Sequence, residues 1–521
     1  MDSSSFEPLT PTSYLIRSAT VYPERVAVID GDQRWTYREL AERCQRVAGS
    51  LAERAHGRPI AVLAPNSHVL LEAHYAVPWS GSPLVALNSR LSAAELAWIV
   101  RHSEAALVVY DDDLADVALA LADEVPDVEL IRAGGPGDDY EELVEKGSPL
   151  VHRVVDERGL LSLNYTSGTT GTPKGVMYHH RGAYLQALAM VVHAGMGPRD
   201  VYLWTLPMFH CNGWCFPWAV TAAAATHLCL RKVDPAEIWR LIDDEGVTVL
   251  CGAPTVLSAI GFASDAHPLP QGRPLRILTG GAPPTPAILS RMDELGANVT
   301  HLYGLTETFG PIIVCDWHPE WDDLDLTTRA RLGARQGVAN VIAAPVRVVD
   351  DDGRDVAADG RASGQIAVRG NDVMLGYLKD DDATAQAVPD GWFRTGDIGV
   401  MHPDGYIELR DRTKDVIISG GENISSVEVE AVISGHPAVL ECAVIAVPDD
   451  KWGEVPAAYV TLKDGSEVSA DDLIAHVRDR LAHFKAPRSV TFGSLPKTST
   501  GKVQKFSLRE AAWAAQDRRI G

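Results

Sequence analysis

The sequence predicts an α/β protein: a large N-terminal part of layered sheets and helices, followed by a small α+β unit. Two observations carry that reading. Through the first four hundred or so residues, short apolar runs alternate with amphipathic helical stretches, the pattern of strands sandwiched between helices. After Asp411-Arg412 the pattern changes and the charge balance shifts, so the chain divides into residues 1–411 and 412–521. A length of 521 residues is also enough for about three domain-sized units on the usual scale.

Taken in order, Val26-Ala27-Val28-Ile29 reads as a strand running into the reversal Asp30-Gly31-Asp32. Thr36 and Glu39 form a capping-box pattern, and Leu40, Cys44, Val47 and Leu51 continue it at helical spacing. Ile60–Leu63, Ala106–Val109 and Val247–Leu250 read as further buried strands. No fixed-period repeat is visible, and low complexity is confined to Ala222–Ala225. In the last part, Val427–Ile433 and Asp471–Leu481 read as helices and Cys442–Val447 as a strand.

Hydrophobic residues make up 46% and charged residues 22%, the composition of a packed globular chain. With 47 basic and 70 acidic side chains the net charge is −23, which repels phosphate backbone and anionic lipid and argues against a nucleic-acid partner. An anionic ligand then needs local basic groups or backbone N–H donors. Phe484–Gly521 runs against the trend, with eight basic and two acidic residues. The seven cysteines are odd in number and scattered, so they do not read as a disulfide framework; a reducing, cytoplasmic setting is expected. The start of the chain lacks the features of a signal peptide. Val201–Leu230 carries no Asp, Glu, Lys or Arg, yet its prolines, histidines, Asn212 and dense aromatics suit a buried, irregular pocket wall better than a membrane span.

Chemistry concentrates in Tyr165-Thr166-Ser167-Gly168-Thr169-Thr170-Gly171-Thr172-Pro173-Lys174-Gly175. So many hydroxyls and glycines suit a loop whose backbone N–H groups approach phosphate oxygens unobstructed, with Lys174 adding charge. No Gly-Lys-Ser/Thr closes it, so it is not the usual P-loop. Four more motifs follow in order: Tyr303-Gly304-Leu305-Thr306-Glu307, Trp392–Asp397, Asp411–Asp415 running into Ser419-Gly420-Gly421-Glu422-Asn423, and Pro496-Lys497-Thr498-Ser499-Thr500-Gly501-Lys502. Taken singly, each has a bland reading as core or turn residues.

Together the five motifs span almost the whole chain, and the sequence resembles the adenylate-forming superfamily of acyl-CoA synthetases, luciferases and peptide-synthetase adenylation domains. The resemblance implies activation of a carboxylic acid by ATP to an acyl-adenylate, with Mg²⁺, and transfer to CoA. It places Thr166, Ser167, Gly168, Thr169, Thr170 and Lys174 on the phosphates, Gly281, Ala282, Tyr303 and Gly304 at the adenine, and Asp397 with Arg412 at the ribose. Glu307 would hold Mg²⁺ and Thr306 the α-phosphate. Lys502 would bridge carboxylate and α-phosphate in the transition state, Asp411 would be the hinge of a mobile C-terminal domain, and Gly420 and Gly421 would line the acceptor tunnel.

Phe209, His210 and Trp214, in Leu206–Trp214, resemble the acid-binding wall of ligases for medium-chain, aryl or thioether acids, faced by Gly280 and Gly281. His210 is open to two readings, a pocket gate that orients the carboxylate or a satisfied core histidine. Cys211 is not expected to be a nucleophile, because no base and oxyanion pattern accompanies it. The acceptor stays open between CoA and an amine, the second giving an amide synthetase. A homodimer is compatible with the resemblance.

Overall fold

The computed structural model describes residues 5–135, 137–166, 173–270, 272, 275–412, 415–419, 422–449, 452–497 and 503–517. Among these, the strands assemble into four sheets. A nine-stranded sheet runs in the order Val338–Ala339, Gly310–Val314, Ala297–Leu305, Leu275–Thr279, Val249–Gly252, Val201–Leu203, Thr226–Leu228, Val26–Asp30, Gln33–Thr36. Its middle pairings are parallel and its margins antiparallel. A seven-stranded sheet runs Gly376–Tyr377, Lys174–His179, Leu160–Thr166, Leu84–Ala86, Ile60–Leu63, Leu107–Asp111, Glu129–Ala133. Ile60–Leu63 is buried along its whole length, as expected of a parallel strand covered on both faces by helices.

The helix Tyr37–Ala55 starts where the sequence places it. Thr36 Oγ1 accepts from Glu39 N at 3.3 Å while the Glu39 carboxylate accepts from Thr36 N at 2.7 Å, so two otherwise orphaned donors are satisfied at once. Ser92 and Glu95 repeat the arrangement ahead of Ala93–Ser103. The largest core lies between the two big sheets and is built on Trp79, Trp204, Trp218, Tyr75, Tyr202 and Phe216, all fully buried.

A four-stranded antiparallel sheet, Arg347–Val349, Ser363–Val368, Phe393–Met401, Ile407–Arg412, leads to the last part of the chain. From Ile417 onward a separate apolar core gathers Ile417, Ile424, Val429, Ile433, Val444, Val460, Leu473 and Val477. It is covered by the helices Ser426–Ser434 and Ala470–Arg478, and its strands are Val439–Asp449 and Gly453–Leu462, with Ser489–Phe492 alongside.

The charge-free stretch Val201–Leu230 is a buried wall: strand Val201–Leu203, a tight turn, helix Phe216–Ala222 and strand Thr226–Leu228. Among the described residues no helix is long and apolar enough to cross a membrane.

Candidate active site

Three parts of the fold converge on one locus. The first is a hairpin. Leu160–Thr166 and Lys174–His179 pair antiparallel with Thr166 opposite Lys174, so the Ser/Thr/Gly segment is flanked by two paired strands. Ser167, Gly168, Thr169 and Thr170 lie outside the described residues. At the loop's base, the Lys174 ammonium sits 4.6 Å from the centre of the Tyr377 ring and 3.9 Å from Asp380.

The second part is the turn after Ala297–Leu305. Thr306–Thr308 form one 3₁₀ turn, and Phe309 and Gly310 take positive φ before the chain reverses into Gly310–Val314. Thr308 stitches the turn, donating to Gly310 O at 2.6 Å and accepting from Leu305 N at 2.9 Å. Gly304 can only be glycine: a Cβ there would lie 1.9 Å from Gly310 O. The turn is fixed from below by Tyr178, whose hydroxyl donates to Thr306 O at 2.7 Å and whose ring stacks on Phe309 at 3.8 Å. Glu307 accepts from the Tyr377 hydroxyl at 2.8 Å, which ties it to the same ring that carries Lys174. Lys174, Tyr377 and Glu307 thus form one polar row, where the resemblance places the phosphates.

The third part is the four-stranded sheet. Asp397, almost fully buried, accepts from the Tyr303 hydroxyl at 2.6 Å. Asp397 and Arg412 are direct cross-strand partners, so the backbone brings together the two residues the resemblance assigns to the ribose. Asp411 is buried and accepts from Ser426 Oγ at 3.0 Å, joining the end of this sheet to the first turn of Ser426–Ser434. Lys505 donates to the same Ser426 Oγ at 2.6 Å and pairs with Glu430 at 2.8 Å. Gly420, Gly421 and Lys502 lie outside the described residues.

The segment expected to form the acyl wall has a conformation that sequence reasoning missed. Cys211, Asn212, Gly213, Trp214 and Cys215 all have φ between 41° and 64°, a complete left-handed turn. It is closed by Gly213 N donating to His210 O at 2.8 Å and Cys215 N to Asn212 O at 3.0 Å. Left-handed backbone costs roughly 1–2 kcal/mol for each non-glycine residue, so the four side-chain-bearing residues store several kcal/mol that packing must offset. The turn presses Trp214 against bare backbone on both sides: a Cβ on Gly280 would lie 3.0 Å from the indole edge, and one on Gly310 3.0 Å from its Cδ1. Phe209 and Trp214 are buried, His210 is partly exposed, and Gly281 and Ala282 are exposed. His210 Nε2 is 3.9 Å from Cys211 Sγ. Cys211 Sγ lies 3.4 Å from Thr306 Oγ1, and burial pushes its thiol up to about 12, which favours the protonated form.

Among the described residues no group of three His, Cys, Asp or Glu could hold a metal ion. A single carboxylate, Glu307, suits Mg²⁺, which keeps its waters and takes most of its remaining ligands from nucleotide phosphates.

Fold and site together define an adenylate-forming enzyme, with a large N-terminal α/β part and a small C-terminal α+β part. The profile described as AMP-binding enzyme matches residues 15–378, and that of the AMP-binding enzyme C-terminal domain matches 428–502. The chain belongs to the AMP-binding enzyme family. It is 44% identical to the peroxisomal acetate/butyrate–CoA ligase AAE7 of Arabidopsis thaliana, over 98% of this chain and 95% of that one. It is likewise 44% identical to the 2-methylpropanoate–CoA ligase CCL4 of Humulus lupulus, over 98% and 96%. Among solved structures, ATP-bound MatB from Rhodopseudomonas palustris superposes with a TM-score of 0.86 at 28% identity, covering 97% of this chain and 99% of that one.

Proposed function

We propose that this enzyme is an AMP-forming acid:CoA ligase acting on short aliphatic acids of about two to four carbons. One observation carries the size limit: the Trp214 indole closes on Gly280 and Gly310 without space for a methyl group, so an acyl chain that meets this wall cannot pass behind the indole. The two plant relatives, named for acetate, butyrate and 2-methylpropanoate, support the same range. This is narrower than the medium-chain, aryl or thioether acids expected from the wall motif alone.

In the first half-reaction a carboxylate oxygen attacks the α-phosphorus and pyrophosphate leaves. Lys174 and the hairpin loop hold the phosphates, Asp397 accepts from the ribose hydroxyls, and Tyr303 offers its ring to adenine while its hydroxyl keeps Asp397 in place. Glu307 would hold Mg²⁺, whose charge offsets that of the two approaching anions. Lys502 would add the cation that bridges the carboxylate and α-phosphate as charge develops. We place the pivot for the second half-reaction at Asp411, where the four-stranded sheet meets the last core; rotation there would withdraw Lys502 and bring Gly420 and Gly421 to the thiol.

The test is mass spectrometry of reactions with ATP, Mg²⁺ and straight-chain acids of increasing length, with CoA and amines supplied in parallel. AMP, pyrophosphate and a thioester are expected, with kcat/KM falling about tenfold or more between butyrate and hexanoate. Amide without thioester overturns the acceptor, and ADP with orthophosphate overturns the reaction.

A further inference from the structure

We propose that Asn212, held by His74, Asn164 and Ser162, is a positioning residue that sets the depth of the acyl pocket by fixing the left-handed turn that carries Trp214. This rests on the reading that Trp214 bounds the acyl group.

A run with four L-residues does not hold five successive left-handed conformations unless something tethers it. The tether is at the second residue of the run. Asn212 is fully buried, and its amide oxygen accepts from Ser162 Oγ at 2.7 Å and from Asn164 Nδ2 at 2.5 Å. Its backbone N–H donates to Asn164 Oδ1 at 3.0 Å, so Asn164 grips both the main chain and the side chain of the same residue. The amide nitrogen of Asn212 lies 3.0 Å from His74 Nε2.

The protonation states fit. His74 Nδ1 is 2.7 Å from the carbonyl of Leu70, which can only accept, so Nδ1 carries the proton. Complete burial holds the ring neutral, down to about 4. Nε2 is then a bare acceptor, and Asn212 must present its NH₂ to His74 and its oxygen to the strand. That is the one amide orientation in which every contact is favourable. His74 is itself fixed, its carbonyl accepting from Trp218 Nε1 at 3.2 Å.

The tether also refers the acid pocket to the nucleotide site. Ser162, Asn164 and Thr166 alternate along Leu160–Thr166, so one strand anchors the acyl wall and then opens the phosphate loop. The first residue of the turn, Cys211, touches Thr306. A shift of Asn212 would therefore move Trp214 relative to the α-phosphate, altering which acids fit while leaving the nucleotide contacts in place.

The experiment measures kcat/KM for butyrate and hexanoate in Asn164→Ala, Ser162→Ala and Trp214→Ala, with KM for ATP and thermal unfolding recorded for each. Expected is a fall in the butyrate-to-hexanoate ratio of about tenfold in Asn164→Ala and about threefold in Ser162→Ala, through the acid's KM, with KM for ATP within about twofold of wild type. Trp214→Ala should lower the ratio at least as far as Asn164→Ala. An unchanged ratio in Trp214→Ala refutes the pocket assignment and this inference with it. A lowered ratio there with wild-type ratios in both tether variants refutes the positioning role alone, as does a loss of activity that leaves the ratio intact. Should Asn164→Ala not fold, Ser162→Ala decides, since it removes one of two donors to a single oxygen.

Discussion

Four histidines sealed in the N-terminal part make the protein sensitive to mild acid, and the size of the effect follows from their surroundings. His74, His180 and His301 are held down to about 4 and His227 to about 3, in each case chiefly by burial, against an ordinary value of 6.5. Their contribution to stability is fully present above 6.5 and is lost as the pH falls, because the unfolded chain then binds protons that the folded chain refuses. From pH 7 to pH 5 each costs about 2 kcal/mol, roughly 8 kcal/mol for the four. Asp372 works the other way. Burial raises it to about 7 against 3.8, so it takes up a proton in the folded state and returns about 2 kcal/mol over the same interval. The net loss is about 6 kcal/mol, comparable with the entire stability of many domains. The assay is urea unfolding followed by tryptophan fluorescence at pH 7, 6 and 5, together with dye-monitored proton uptake. Near pH 5.5, unfolding should take up about three protons. A midpoint that holds steady from pH 7 to pH 5, or uptake of less than about one proton, refutes the reasoning.

Three further outcomes are expected. Lys502→Ala should slow acyl-adenylate formation by about 10²–10³-fold while thioester formation from supplied acyl-adenylate is largely spared; equal losses in both half-reactions would refute the assigned role. Tyr303→Phe removes the hydroxyl that holds Asp397, and should raise KM for ATP more than it lowers kcat, read by steady-state kinetics with the acid saturating. Lys505→Met strands the Glu430 carboxylate and should destabilise the C-terminal core by about 3 kcal/mol, whereas adding Glu430→Gln should recover most of that in a double-mutant cycle.

What the sequence discloses and what it conceals divide by range. Local grammar is legible: the Thr36–Glu39 box, the strand Ile60–Leu63 and the helix at Val427–Ile433, observed as Ser426–Ser434, all rest on neighbours within a few positions. The resemblance then indicates which polar residues share a locus. It could not supply Tyr377, which joins Lys174 to Glu307 from 70 residues beyond the carboxylate, because nothing local distinguishes that tyrosine from a core residue. The left-handed turn was hidden for a different reason. In Cys211–Cys215 only Asn212 and Gly213 are suited to positive φ, and the partners that hold Asn212 lie on another helix and another strand. The strand Cys442–Val447 extends to Val439–Asp449 because pairing with Gly453–Leu462 recruits flanking residues, Pro448 included, that propensity alone would not enlist.

The distribution of sulfur gives the molecule a built-in clock for its own openings. All seven cysteines are unbridged; six are buried in the part before Asp411, and Cys442 alone is partly exposed, packed against the small C-terminal core. A thiol reagent can reach the six only when that region breathes, so the rate at which each is labelled times an excursion of its own neighbourhood. Cys442, only partly buried, should therefore be labelled first and without any opening, and the order in which the six buried thiols follow would rank the openings of the large part with no engineered probe.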